Sequence, residues 1–500
     1  MDILNGVLAA LPLVFSLEVM LAMILGTIIG IAIGALPGLS ATMGIAVLIP
    51  VTFSMSPLTA LGMIAGIYNG AMYGGSIPAI LLRIPGTPAG IATIFDGYPM
   101  AKQGRAKLAL DISLVSSSIG SFVSAIVLLL LAPPLASFAL KFGPADYFWL
   151  AVFGLTSIAM LMADNPVKGL ISAGFGLIVG MVGIDVINGQ PRFTFDVPEL
   201  RGGIHIIVLL TGLYAIPPAI DLALGHAERK TGKLDVGQRT ERFRWLSLLP
   251  VWAKSSVIGV TIGIIPALGG NVAALLAWNE QQRGAKDKSA YGKGAPEGVA
   301  AAECANNADT AATLIPALTL GVPGNAVAAV ILGALLVHGL RPGPELFTNN
   351  ASIVYGFMLT MLVTAVLMFV IGRLGSRAYI HVLRLPPALL APMILGMTVI
   401  GIYSVHNSMF EVYLMLSFGV IGFAMEKLNI PTAPAVLAVI LGPMAEEALR
   451  RALLISRGDM TYLVASPISM ALVALIAVVF LTPLWRRLRE RRAVAAGPAE

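Results

Sequence analysis

Between Glu18 and Arg83 the chain carries no Asp, Glu, Lys or Arg. A bilayer core accepts about 20 consecutive apolar residues per helix, so this one stretch holds several membrane-embedded segments. Further uncharged runs occupy 112–140, 147–163, 255–279, 310–340, 346–372, 385–410, 428–445 and 460–485. At 57% hydrophobic and 12% charged residues, with a mean hydropathy of +0.88, the composition excludes a soluble globular protein. The expected fold class is an all-α polytopic membrane protein.

The net charge of +6 is concentrated in clusters, six Lys/Arg within Arg229–Arg244 and five Arg within Arg486–Arg492. Basic clusters beside membrane spans mark the cytoplasmic side. They lack the interleaved aromatics and the presenting domain of a nucleic-acid surface, so no nucleic-acid partner is expected. A single cysteine, Cys304, excludes an intrachain disulfide. The apolar N-terminus has no preceding Lys or Arg, which fails the charged-region test of a cleaved signal peptide, and it is expected to be retained.

Sliding the chain along itself reveals a repeat. Gly30-Ile-Ala-Ile-Gly34-Ala-Leu-Pro37-Gly38-Leu39 recurs as Gly259-Val-Thr-Ile-Gly263-Ile-Ile-Pro266-Ala267-Leu268. The segment from Ile77-Pro78-Ala79 to Pro85-Gly86-Thr87 recurs from Ile315-Pro316-Ala317 to Pro323-Gly324-Asn325, in a register that also pairs Asn69 with Asn307. The first 82 residues hold no Lys or Arg, whereas the second copy opens after the basic stretch 226–244, so the copies are expected to start on opposite sides of the membrane. This gives two inverted-topology repeats, 1–225 and 250–485, separated by a basic cytoplasmic linker, 226–249, and followed by a basic cytoplasmic tail, 486–500. The expected path places the N-terminus outside and makes 13–55 a hairpin broken at Pro37-Gly38, with spans near 58–82, 108–131, 144–163, 166–187 and 203–224. The second half runs from a hairpin at 250–280 through spans near 296–320, 351–372, 388–405, 409–425, 430–445 and 462–485. The total is about 11 to 12 transmembrane helices plus broken or re-entrant hairpins. Arg450, Arg451 and Arg457 fall outside on this path and count against it.

Pro followed by Gly stops a helix, because Pro lacks the amide hydrogen and Gly permits the turn. Inside a membrane, interrupted backbone is tolerated where protein or a wet cavity surrounds it. Breaks at Pro37-Gly38, Pro85-Gly86, Gly269-Gly270 and Pro323-Gly324 therefore point inward. Each precedes a helix N-cap candidate: Ser40, Thr87 with Pro88 at the first helical position, Asn271 and Asn325. Half-helix N-termini direct free amides and positive dipole ends at the break, which suits a carboxylate. The alternative is that the breaks are kinks that help helices pack.

A second polar concentration runs from Glu303 through Cys304, Asn306, Asn307, Asp309 and Thr310 to Thr313, with Glu303, Asn306, Thr310 and Thr313 on one helical face. Asn69, Tyr73 and Ser76 form the counterpart in the first half. The expected substrate-binding set is Pro37, Gly38, Ser40, Asn69, Tyr73, Ser76, Gly86, Thr87, Gly270, Asn271, Asn306, Asn307, Gly324 and Asn325. The expected ion-coupling set is Glu303, Asp309, Thr310 and Thr313, whose oxygens suit a proton or a hard cation; a solvated Glu303 at the cytoplasmic end is the alternative. The glycines at 26, 30 and 34, and at 259 and 263, read as close helix packing. The histidines show no metal-ligand spacing, and there is no Walker loop or nucleophile elbow. Neither a cofactor nor a bound metal is expected, and energy for transport would come from a sodium or proton gradient.

The motifs Gly34-Ala-Leu-Pro-Gly-Leu-Ser40, Tyr73-Gly-Gly-Ser-Ile-Pro-Ala79, Ile84-Pro-Gly-Thr-Pro88, Asp96-Gly-Tyr-Pro99, Cys304-Ala-Asn-Asn-Ala308 and Gly321-Val-Pro-Gly324 resemble one family over essentially the full length. It is the large permease subunit of the bacterial tripartite tricarboxylate transporters. Cys304 and Asp309 depart from the small or neutral residues of that family's Asn-Asn motif. The resemblance implies a multi-pass inner-membrane secondary carrier for citrate or another carboxylate. It also implies sodium or proton symport, a small four-helix membrane subunit and a periplasmic solute-binding protein. A partner-gated anion channel is the competing expectation. An intramembrane enzyme is disfavoured, since Glu303 and Asp309 show no catalytic spacing.

Overall fold

The computed structural model describes residues 3–36, 39–161, 165–185, 188–224, 243–266, 268–382 and 387–480. In chain order the helices are α1 (Ile3–Val14), α2 (Leu17–Ala35), α3 (Ala41–Thr52), α4 (Pro57–Gly74), α5 (Ser76–Leu82), α6 (Ile91–Met100), α7 (Ala106–Ala139), α8 (Pro144–Leu161), α9 (Pro166–Gly180) and α10 (Ile206–Ala223). They continue as α11 (Leu249–Ile264), α12 (Gly269–Gly284), α13 (Pro296–Ala312), α14 (Leu314–Leu320), α15 (Ala326–Val337), α16 (Pro344–Asn349), α17 (Ala351–Val382), α18 (Pro387–His406), α19 (Met409–Lys427), α20 (Ala433–Ile455) and α21 (Pro467–Phe480). Two two-residue strands, Gly183–Ile184 and Pro191–Arg192, pair antiparallel. The protein is an all-α polytopic membrane protein.

Among the described residues, seven helical segments are long and apolar enough to cross a bilayer: Leu17–Ala35, Pro88–Ala139, Ile206–Ala223, Trp245–Ile264, Ala351–Gly375, Leu389–His406 and Met409–Lys427. The difference from the span number expected above has a local cause. The stretch 58–82 is divided into α4 and α5, and 296–320 into α13 and α14. Pro78 lacks the amide that would reach Gly74, and its ring crowds that carbonyl; Pro316 stands in the same relation to Ala312. Gly74 and Ala312 are the last residues of α4 and α13. The span expected over 166–187 stops at Gly180, and α6 and α15 are additional helices.

The chain divides into two compact units, Met1–Ser137 with Ile207–Phe423, and Phe138–Ile206 with Ala424–Glu500. Each draws on both halves of the sequence. In the first unit α2 lies against α4 in backbone contact. Gly26, Gly30 and Gly34 face the Met63, Ile67 and Ala71 backbone, and a Cβ built on Gly30 would sit 2.5 Å from the Ile67 carbonyl oxygen. Across the repeat, Gly259 and Gly263 face Ala305 and Asp309 of α13, the positions equivalent to Ile67 and Ala71. Small residues four apart let backbones approach this closely.

The repeated segments also end alike. The Leu36 and Ile265 amides each cap their helix at 3.1 Å, onto Ile33 and Ile262. α5 closes on Arg83 at φ 61° and α14 on Gly321 at φ 73°. The Ile84 amide then reaches the Pro78 carbonyl, and the Val322 amide the Pro316 carbonyl, both at 3.3 Å.

In the second unit α8, α9 and α20 pack together, with Gly169 on the Ala159 backbone and Gly176 on that of Ala435. Arg450 forks onto Asp185 at 3.2 and 3.0 Å, and Glu446 joins Arg450 at 2.6 Å and Arg192 at 2.8 Å. Arg451 pairs with Glu447. Arg450 and Arg451 are thus both held in ion pairs within this unit.

Candidate functional site

Helix α13 is buried along nearly its whole length and carries several polar side chains. Alanines and a glycine at 298, 300–302, 305, 308, 311 and 312 keep its surface small, so α11 and α12 close over it. Glu303, Asn306, Asn307, Asp309, Thr310 and Thr313 are each 1% exposed or less. Their side chains form three groups.

The Glu303 carboxylate accepts hydrogen bonds from the Thr93 hydroxyl and, at 2.9 Å, from that of Ser117. It is buried between α6 and α7 rather than solvated. The Asn307 amide donates to the Glu303 carbonyl at 3.0 Å, and the Thr310 hydroxyl to the Asn307 carbonyl at 2.7 Å, with Asn69 Oδ1 at 3.4 Å. Asn69 in turn donates to the Met361 carbonyl (3.1 Å) and Thr364 (2.8 Å) of α17. The repeat-related asparagines are thus brought into one network, Asn69 serving as a tie between helices.

The third group is left incomplete. Asp309 Oδ2 accepts from Asn325 Nδ2 at 3.1 Å and its carboxylate takes the Gly270 amide. Asp309 Oδ1, Asn306 Oδ1 and Thr313 Oγ1 have no hydrogen-bond partner although all three are buried. Each such atom costs about 1–3 kcal/mol unless something meets it. Glycine permits the close packing here: a Cβ on Gly270 would come within 2.7 Å of Asn306 Oδ1, and one on Gly263 within 3.0 Å of Asp309 Oδ1. One on Gly324 would meet Thr313 Oγ1 and lie 2.8 Å from the Gly263 carbonyl oxygen.

In the first repeat, the Ser76 hydroxyl donates to the Tyr73 carbonyl (2.8 Å) and accepts from Ser113 (2.6 Å). Tyr73 lies in an apolar cluster with Ile31, Ile77 and Met368. The Gly86 amide bonds the Gly75 carbonyl at 3.2 Å, and a Cβ there would strike the Gly34 and Gly75 backbone. The Thr87 hydroxyl is buried and unpartnered. Pro37 and Gly38 lie outside the described residues.

The helix starts divide by how they are capped. Ser40 accepts the Met43 amide at 3.2 Å and Asn325 the Ala328 amide at 2.9 Å, as their residue types predict. Thr87 precedes a 3-10 turn at Pro88–Gly90 without a side-chain cap bond. Asn271 is not a cap: Gly269, at φ 64°, begins α12 two residues earlier, and the Asp309 carboxylate takes the Gly270 amide from across the junction. Helices α3 and α15 each have 12 residues and pack against one another. Thr52 Oγ1, at the end of α3, is 3.5 Å from His338 Nε2, at the end of α15. The two helices thus come together at their C-terminal ends.

Sequence reasoning missed two features. Asp96 Oδ1 accepts the amides of Gly292 (2.8 Å), Gly294 (3.0 Å) and Ala295 (2.9 Å), and Oδ2 accepts Trp278 Nε1 (2.7 Å), which anchors the segment leading into α13. The motif Asp96-Gly-Tyr-Pro99 was its only signal. Nearby, Arg83, Tyr98, Lys102, Trp278 and Lys293 line a cavity of about 750 Å³.

The profile of the tripartite tricarboxylate transporter TctA family matches residues 20–437. An Agrobacterium vitis protein described as an uncharacterized 52.8 kDa protein in the TAR-I ttuC' 3' region is 36% identical over 93% of this chain and 94% of its own length. Another A. vitis protein, described as an uncharacterized protein in the TAR-II ttuC' 3' region, is 34% identical over 47% of this chain and 97% of its own. No solved structure gives a significant match. The matched region takes in both copies of the repeated motifs and the helix breaks described above, and the chain belongs to the tripartite tricarboxylate transporter TctA family.

Proposed function

We propose that this chain is the large subunit of a bacterial inner-membrane importer that carries a tricarboxylate or related carboxylate by sodium- or proton-coupled symport. It receives its substrate from a periplasmic solute-binding protein and works beside a small four-helix membrane subunit. The observation that carries this reading is the packed pair of short helices α3 and α15, one from each half of the sequence, whose N-termini are capped by Ser40 and Asn325 and whose C-terminal ends meet. Twelve residues make a helix of about 18 Å, well short of the roughly 30 Å hydrocarbon core. One end of each can then fall within the bilayer. Each N-terminus carries about half a positive charge, so the two together offer an anion about one full charge without a cationic side chain. Two inverted repeats rocking against a scaffold would expose that place alternately to the two sides.

The test is uptake of radiolabelled citrate into proteoliposomes holding this chain, the small subunit and a loaded binding protein. Uptake that stops when sodium and proton gradients are both collapsed, and that shows countertransport, supports the carrier. Flux that ignores both gradients and far exceeds carrier turnover would establish the partner-gated channel instead.

A further inference from the structure

The cavity beside α6 has walls of one charge. Arg83, Lys102 and Lys293 line it together with Phe95, Tyr98 and Trp278, and no Asp or Glu does so among the described residues. Two of the cations converge on one ring: the Lys102 ammonium lies 5.1 Å and the Arg83 guanidinium 5.9 Å from the Tyr98 centroid. An exposed cation–π contact contributes about 0.5–1 kcal/mol, and it leaves the repulsion between two like charges so placed unrelieved. Neither cation has an acidic partner among the described residues, whereas Lys293 has the exposed Asp287 within electrostatic reach. The Asp96 carboxylate is already committed to three amides and the Trp278 indole. Those bonds, with Gln103 Nε2 donating to the Lys293 carbonyl at 2.7 Å, tie the two walls of the cavity to one another.

These cations also stand where the chain meets the membrane boundary. Arg83 is the first charged residue after the uncharged stretch that follows Glu18, and Lys102, Arg105 and Lys107 precede the uncharged run 112–140 of α7. Lys293 ends a connection, 283–293, that carries four Lys/Arg against one acid, Asp287. Such an excess marks the cytoplasmic face, and Tyr and Trp collect at the same depth. Helix α6 continues the cavity wall with an apolar row, in which Ile91 and Phe95 are 44% and 36% exposed while Ala92, Thr93, Asp96 and Gly97 are buried. We propose that the cavity binds the phosphodiester headgroup of an anionic phospholipid from the cytoplasmic leaflet. Arg83, Lys102 and Lys293 supply the charge, and Ile94 with Phe95 meet the first methylenes of the acyl chains. At about 750 Å³ the cavity is larger than a phosphate alone requires, and a soluble polyanion has no part to lay against the apolar row. Such a lipid is a ligand separate from the substrate and the coupling ion.

Binding is read on the purified full-length chain in neutral detergent, as the thermal unfolding midpoint against added phosphatidylglycerol, phosphatidylcholine of the same chain length, inorganic phosphate and citrate. Phosphatidylglycerol should raise the midpoint along a saturable curve, and the other three should leave it in place at the same concentration. Arg83→Gln with Lys102→Gln should raise the half-saturating lipid concentration by about tenfold or more. Arg283→Gln removes a cation of the same connection that lies outside the cavity, 3.4 Å from Glu280, and should change that concentration by less than about twofold. An equal shift with phosphatidylcholine, an unchanged half-saturation in the double variant, or a comparable loss in Arg283→Gln would refute the site. A midpoint raised by inorganic phosphate or citrate, and no longer raised in the double variant, would identify a free anion as the ligand and overturn the lipid.

Discussion

Replacing Asp96 tests whether the approach to α13 is held by one carboxylate. Its Oδ1 gathers three backbone amides, of which Gly294 and Ala295 are fully buried, and its Oδ2 takes the Trp278 indole. In Asp96→Ala the two buried amides lose their acceptor at about 1–3 kcal/mol each, so the change should cost about 2–6 kcal/mol. Asp96→Asn keeps an oxygen toward the amides but turns an NH₂ toward the indole N–H, and should cost about 1–3 kcal/mol. Trp278→Phe loses the indole bond alone while an aromatic ring remains against Phe95, now 5.0 Å from the Trp278 ring centroid; it should cost about 1 kcal/mol. Unfolding of the purified variants by heat and by denaturing detergent gives the three values, and the double variant gives the coupling between Asp96 and Trp278. An Asp96→Ala protein within about 0.5 kcal/mol of the parent, or an Asn variant as unstable as the Ala variant, would refute the idea that the amide cradle fixes this segment.

Gly30→Val should lower the unfolding temperature and the yield of folded protein, because its Cβ meets the Ile67 backbone and α2 must move off α4 at about 1–3 kcal/mol or more; an unshifted midpoint would contradict the close contact. Asn69→Ala should destabilise more than Asn307→Ala, since Asn69 donates across to α17 whereas Asn307 donates within its own helix; equal shifts in the same unfolding assay would argue otherwise. Arg450→Ala should cost about 1–3 kcal/mol by depriving Asp185 of its two-pronged partner and leaving it only Arg192 at 3.7 Å, and restored stability in Arg450→Ala with Asp185→Asn would identify the under-compensated carboxylate as the cause.

The features that were legible in the sequence are those decided within a few residues. Ser40 and Asn325 cap the helices they precede because a short oxygen-bearing side chain there reaches the amide three residues on. The glycines at 26, 30 and 34 line up on one face because four residues is close to one helical turn. Where the partner lies far along the chain, the same local rules misled. Asn271 has the right type for a cap, yet Gly269, at φ 64°, starts the helix two residues earlier. The break before Pro78 falls at Gly75 although the more conspicuous Pro85-Gly86 lies further on, since a proline disturbs the turn that precedes it. Arg450 finds its two-pronged partner in Asp185, which is 265 residues away and invisible to any local reading. Of the oxygens on α13, composition announced that they were polar, and packing alone decided which were already spoken for.

The tie between Asn69 and α17 also has a consequence for biosynthesis. Its partners are 292 and 295 residues downstream, and at 5–20 residues per second a ribosome needs about 15–60 s to deliver them. Throughout that interval a carboxamide in the middle of α4 has left the translocation machinery without its final acceptors, in surroundings where lipid offers none. Until then α4 alone bears the cost of that unmet amide, about 1–3 kcal/mol.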